Sequence, residues 1–345
     1  MGFLIADVSP ALNPDSIILG TFAAAAVIFF VTWGIRVMLG KSERFESPVA
    51  APEASAGLPA SPGGSPPPLS RSDSDSPYAP PMAMPPPLPP SEEVVPVRQS
   101  GLFKVSTAPY RFYDLALIGL VLVIFAGLTA ANAGAEEMPL DKKYTPAVLI
   151  ASIIFQFLIM GMVLAFVTWR VKITEWLGLR WRMWPLAFPI AIGTVLTMWC
   201  IMAALAYSGW NTWLEKSLGI ESMQEAVKVF QEVKDPVVIA LMAVTAALVA
   251  PLAEEVVFRG YLYPAAKRFC GPAAGIIFSS LVFAAAHGHV VALLPLFILA
   301  VFLCLLYELT GSIWACMSVH FLFNAATVGI QLLIRSGIID MPVES

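Results

Sequence analysis

Charge is scarce in this chain: Asp, Glu, Lys and Arg make up 13% of its 345 residues, against 58% hydrophobic residues. A soluble domain ordinarily carries about 25% charged residues, so an ordinary soluble protein is excluded. With a mean hydropathy of +0.77, the composition is that of a polytopic membrane protein. Basic clusters are missing as well. The formal net charge is -4, and the few Lys and Arg residues sit beside apolar segments, where they report topology rather than a nucleic-acid footprint. No nucleic-acid partner is expected. The four cysteines, Cys200, Cys270, Cys304 and Cys316, form no CxxC pair, which points to neither a disulfide framework nor a thiolate metal site. Only three histidines occur, His287, His289 and His320, and none lies in the long polar stretch of the chain.

What the chain does have is long apolar runs. The first, from about 16 to 39, is long enough to span a bilayer at about 1.5 Å per residue. No basic residue precedes it, and Arg36, Lys41 and Arg44 follow it, so it reads as a membrane helix with its carboxyl end in the cytoplasm and not as a signal peptide. The domain division expected is a single membrane helix over 1–45, a Pro/Ser/Ala-rich disordered linker over 46–109 and a multi-helix domain over 110–345. The linker, with SPGGSPPPLS and APPMAMPPPLPP, has too little apolar surface to offset its chain entropy. It reads as a tether; the alternative is a docking site for a proline-binding partner.

Within 110–345, apolar spans are expected near 113–131, 147–169, 185–206, 237–261, 272–287, 291–309 and 312–333. With the first helix these make about eight, an all-α membrane bundle. Arg170, Lys172, Arg180 and Arg182, and then Lys267 and Arg268, assign their connections to the cytoplasm and both termini to the outside. Between these spans, SMQEAVKVFQEV repeats Met223, Val227, Phe230 and Val233 at three and four, which predicts a short amphipathic helix.

Glu254 and Glu255 end one of these apolar runs. A carboxylate in mid-membrane costs about 2.5–3.5 kcal/mol on insertion scales, and such groups ordinarily face a polar interior where they act. Glu255 precedes Arg259 by four residues, the favourable order for an intrahelical ion pair. Glu254 is then the carboxylate free to face a cavity. His287 shares a helix face with Phe283, and His320 shares one with Asn324. Counting from the turn at Cys270 and Gly271, Glu254 and His287 are both about 25 Å away, so an antiparallel hairpin sets them opposite each other. A glutamate in a partly dry site accepts a proton from water, a histidine orients that water, and Asn324 and His320 carry donors suited to an oxyanion. This set describes amide hydrolysis without a covalent intermediate.

The segments EEVVFRG, FAAAH and HFLFN, in that order on successive apolar runs, resemble the three motifs of the CPBP intramembrane protease family, which includes the CAAX prenyl endopeptidases and bacterial Abi proteins. The resemblance covers about 240–326. It implies that Glu254 activates water, that His287 positions it, that His320 and Asn324 form the oxyanion hole, and that Glu255 and Arg259 support them. It also implies a helical bundle whose catalytic cavity opens toward the cytoplasmic side, and a peptide or membrane-protein substrate, lipidated in some relatives. Glu254, His287 and His320 are the candidate zinc ligands, in a sequence without an HExxH helix. Two other functions are compatible with the same residues: a proton-coupled transporter using Glu254 and His287 as a relay, and a noncatalytic partner-binding or immunity protein. The expected location is a multi-pass protein of the plasma or inner membrane, with the lipid bilayer as its solvent.

Overall fold

The computed structural model describes residues 13–41, 105–133, 138–179, 181, 183–220 and 223–339. Of the Pro-rich stretch 46–109, the part up to 104 lies outside them. In a bilayer every backbone N–H and C=O must be satisfied within the protein, and the chain does this with helices alone; no strand occurs among the described residues. In order these are α1 (Pro14–Met38), α2 (Asp114–Asn132), α3 (Leu140–Lys143), α4 (Pro146–Thr168), α5 (Ile173–Trp176), α6 (Ala187–Tyr207), α7 (Trp210–Leu218), α8 (Glu225–Glu232), α9 (Pro236–Cys270), α10 (Pro272–Ala286), α11 (Val290–Thr310) and α12 (Ile313–Arg335). A single 3-10 turn, Trp184–Leu186, leads into α6.

Among the described residues seven helices are long and apolar enough to cross a membrane. The eighth apolar run forms α10, which has only 15 residues and rises about 22 Å, short of the roughly 30 Å hydrocarbon core. Gly288, at φ +66°, turns the chain back immediately after His287. That left-handed conformation suits glycine because it has no Cβ to clash.

Helix α1 packs into the bundle. Its buried residues Ile18, Phe22, Ala25 and Phe29 recur at four, three and four, a single helix face. The Phe29 ring meets Phe278 of α10 at 5.1 Å and Phe269 of α9 at 6.3 Å between centroids. The amphipathic segment also docks rather than floating free. In and just after α8, Val229, Phe230 and Val233 are buried with Leu149, Val238, Met242 and Val328. Helix α7 ahead of it was not anticipated, because its sequence WNTWLEKSL lacks a sustained apolar run.

Two buried ionic networks hold the bundle where the chain enters it. Asp114, fully buried, accepts from Arg170 Nη1 and Nη2 at 2.9 and 3.0 Å and from the Tyr261 hydroxyl at 3.0 Å. Tyr110 accepts from the Trp176 indole at 2.9 Å, and burial pushes its phenol above the usual tyrosine range. In the second network Lys267 Nζ donates to Glu308 Oε1 at 2.6 Å and to the Val105 carbonyl at 2.9 Å, while the Val105 amide donates to Glu308 Oε2 at 3.0 Å. Arg170 and Lys267 therefore serve as buried ion-pair partners in addition to the topology signal they carry in the sequence.

The loop after α5 meets the turn between α11 and α12. Ile313 donates its amide to Leu177 O at 2.9 Å. Gly178 has φ +60°, and a Cβ there would stand 1.8 Å from Gly311 O. Gly178→Ala is expected to destabilise the protein by at least about 2 kcal/mol, from the left-handed backbone and the overlap together. Thermal unfolding in detergent micelles checks this, and an unchanged melting temperature would contradict it.

Candidate active site

The site is built on α9. Asp235 caps this helix by accepting from the Val237 amide at 2.8 Å, with Pro236 at the first turn, a sequence that starts a helix because it satisfies one orphan donor and presets φ. Two stretches widen into π-helix, Thr245–Val249 and Glu255–Leu262, separated by the α-helical turn Ala250–Glu254. Such π insertions recur at functional sites because they break the regular register of side chains.

A proline explains how the first widened stretch stays satisfied. Pro251 has no N–H, so the carbonyl five residues earlier, Ala246 O, lacks its π-helical donor; Asn324 Nδ2 of α12 supplies one at 2.9 Å. In the second π-helical stretch, the Gly260 carbonyl accepts from the Tyr110 hydroxyl at 2.9 Å. One of the two amide hydrogens of Asn324 is thus committed to the backbone of α9, two helical turns before Glu254. Replacing Asn324 by leucine is expected to destabilise the protein by about 1–3 kcal/mol, the usual penalty for an orphaned buried carbonyl. Unfolding in detergent measures it, and a loss of activity without a loss of stability would show that the Ala246 bond contributes little.

Glu254, His287 and His320 meet. Glu254 Oε2 stands 4.0 Å from His287 Nε2 and 3.9 Å from His320 Nε2, and this oxygen is buried and accepts no hydrogen bond from a described residue. The tautomers follow from the partners. His287 Nδ1 lies 2.8 Å from Phe283 O, which can only accept, so Nδ1 carries the proton and Nε2 is turned to Glu254. His320 Nδ1 lies 2.8 Å from Glu255 Oε1, so Nδ1 is again the donor and Nε2 again faces Glu254.

Glu255 and Arg259 are both fully buried and paired at 2.9 Å. Their i,i+4 pairing matches the sequence expectation, but Glu255 has a second role that spacing did not reveal: it is the carboxylate that orients His320. Phe283 backs the cluster. The Arg259 guanidinium lies 4.4 Å from its ring centroid, a cation–π contact, and the His287 and His320 rings lie 4.8 and 5.8 Å from it. His289 occupies the N-cap position of α11 without a side-chain capping bond.

The same three side chains are spaced more widely than the donors of a zinc centre. Among the described residues no group of three or more His, Cys, Asp and Glu could hold a metal ion. Donors around tetrahedral zinc stand about 3.4 Å apart when ligand distances are about 2.1 Å, and the separations of 3.9 and 4.0 Å exceed that. The candidate zinc ligands named from the sequence are thus spaced more widely than a tetrahedral zinc site requires.

Glu254 and His287 open onto a cavity of about 100 Å³ lined by α2, α4, α9 and α10, with Phe125, Ile159, Val257 and Phe258 among its apolar walls. Gln156 of α4 also lines it. Sequence reading passed over Gln156, Asp114 and Glu308. The signal that singled out Glu254, a polar group within or at the end of an apolar run, marks all three.

Residues 236–326, from the start of α9 into α12, match the family described as type II CAAX prenyl endopeptidase Rce1-like. No curated protein and no solved structure matches the chain. The matched segment contains every member of the Glu254 cluster, on helices of a bundle with seven membrane-crossing lengths. This chain is an integral multi-pass membrane protein whose segment 236–326 is similar to the Rce1-like type II CAAX prenyl endopeptidases.

Proposed function

We propose that the protein is an endopeptidase in which Glu254 activates a water molecule for attack on a peptide bond inside the bundle. The observation that carries this reading is the convergence of a buried, unpartnered carboxylate oxygen and two oriented imidazole nitrogens at 3.9 and 4.0 Å. Separations in that range suit a water lying between the groups better than a direct bond.

In the reaction, Glu254 takes a proton from water as its oxygen bonds to the scissile carbonyl carbon. His287 Nε2 holds the second hydrogen of that water. The carbonyl oxygen becomes an oxyanion, and the proton held by Glu254 passes to the leaving amine as the C–N bond breaks. Peptide and water become carboxylic acid and amine, and Glu254 returns to its starting state. His320 stabilises the oxyanion through Nε2–H. Because Nδ1–H already donates to Glu255, an Nε2–H on the same ring requires the imidazolium form. The second N–H of Asn324 is the further oxyanion donor, while its first holds Ala246.

A prenyl peptide is the first substrate to test, from the name of the matched family. The assay uses purified protein in proteoliposomes and an internally quenched peptide with a prenylated cysteine ahead of its last three residues. Cleavage by wild type that disappears with Glu254→Gln supports the reading; equal cleavage by both sinks it.

A further inference from the structure

Helix α4, PAVLIASIIFQFLIMGMVLAFVT, carries one carboxamide, Gln156, in a mostly apolar span. Gln156 lines the cavity beside Glu254 and His287, and its Oε1 is buried without a hydrogen-bond partner among the described residues. Its neighbours Ile154, Leu158 and Phe157 are exposed apolar residues at 53%, 66% and 41%, so the helix sends its lipid-compatible side chains outward and turns its one amide to the cavity.

A glutamine held without a partner in an apolar wall is unfavourable by itself. Intramembrane polar groups generally face an interior and find a partner there. The carboxamide offers an acceptor and two donors, which complements the C=O and N–H of a peptide. An extended peptide entering an apolar cavity brings backbone groups that also need partners. Glu254 and His287 are occupied by the reacting carbonyl and water, and the remaining named walls are Phe, Ile, Val and Ala. A charged ligand would find no counter-ion on this wall.

We propose that Gln156 is a substrate-binding residue that hydrogen-bonds one backbone amide of the bound peptide next to the scissile bond, and so sets the register of cleavage. This rests on the proteolytic reading above. Gln156 contributes equally in ground and transition states, so its loss acts on binding rather than on the chemical step.

The test compares wild type with Gln156→Met, which keeps the length and removes the hydrogen bonds, on the quenched prenyl peptide in proteoliposomes. The expected result is a KM raised by about tenfold or more, with kcat within about threefold of wild type. Melting in detergent is expected to be unchanged or raised, because the variant removes a carboxamide whose Oε1 has no partner among the described residues; a lowered melting temperature would show a structural role and overturn the proposal. A second series replaces single amide links flanking the scissile bond by esters. One replacement should penalise wild type about as much as Gln156→Met does and should add nothing to the variant's loss, the non-additivity of a direct contact. Wild-type kinetics for Gln156→Met, or additive losses at every position, overturn this proposal while leaving Glu254 in place. If wild type itself fails to cleave, or cleaves no faster than Glu254→Gln, the proteolytic reading falls and this proposal with it.

Discussion

Replacing Glu254 by glutamine is expected to lower peptide cleavage by about 10²–10⁴-fold, the contribution of the positioned general base proposed above. Glutamine matches the shape of the carboxylate but cannot take a proton from water. Glu254 Oε2 accepts no hydrogen bond from a described residue, so the substitution removes no internal bond, and the folded state should melt at or above the wild-type temperature. Steady-state cleavage and melting in the same detergent separate the two effects. Lost activity with retained stability places the role in the chemistry, whereas a fall in both would mean that Glu254 supports the fold. Substitution of His287 should give a smaller loss, because a water still bound by Glu254 is only less well oriented. Proton uptake into proteoliposomes that depends on Glu254, without cleavage, would favour the transporter reading instead.

Arg259→Met is expected to produce the largest loss of stability, about 3–5 kcal/mol, because it leaves the Glu255 carboxylate buried without its cation. Both groups are fully buried, 2.9 Å apart, and the guanidinium also covers the Phe283 ring. The double replacement Glu255→Leu with Arg259→Met removes both charges and should recover most of this stability, since a buried pair exchanged for packed apolar groups is often neutral or better. Activity should not return with it. Without Glu255, His320 Nδ1 loses its 2.8 Å acceptor and its ring is no longer held toward Glu254. Chemical unfolding in micelles and cleavage assays on the same three variants check both parts, and recovery of full activity in the double variant would refute the orienting role given to Glu255.

Much of this architecture is legible in the residue order. Uninterrupted apolar runs of helix-crossing length become helices, because a helix satisfies all its backbone groups within one segment away from water. The meeting of Glu254 with His287 follows from their equal distance to the turn at Gly271, and the Glu255–Arg259 pair follows from the helical period. These features depend on local spacing along one hairpin, which a helix converts directly into position.

Other features depend on which surfaces pack together. Asn324 holds Ala246 because Thr245–Val249 is π-helical and Pro251 has no N–H to offer, a relation between two helices far apart in sequence. His320 bonds to Glu255 rather than to Glu254, a contact between α12 and the start of the second π-helical stretch that the spacing along either helix does not give. The place of α1 in the bundle, with Phe29 against Phe278, is likewise not written in its uniform apolar run. Spacing along one helix determines which side chains share a face. Only the tertiary structure decides which face meets which, because interhelical packing and the hydrogen bonds of a widened helix are properties of contacts and not of any single segment. Thus the sequence by itself determined the membrane class and the helices and singled out Glu254 as a carboxylate at the end of an apolar run, because composition and spacing are local; the packing decided which histidines it meets, which carboxylate bonds His320 and the cavity it faces.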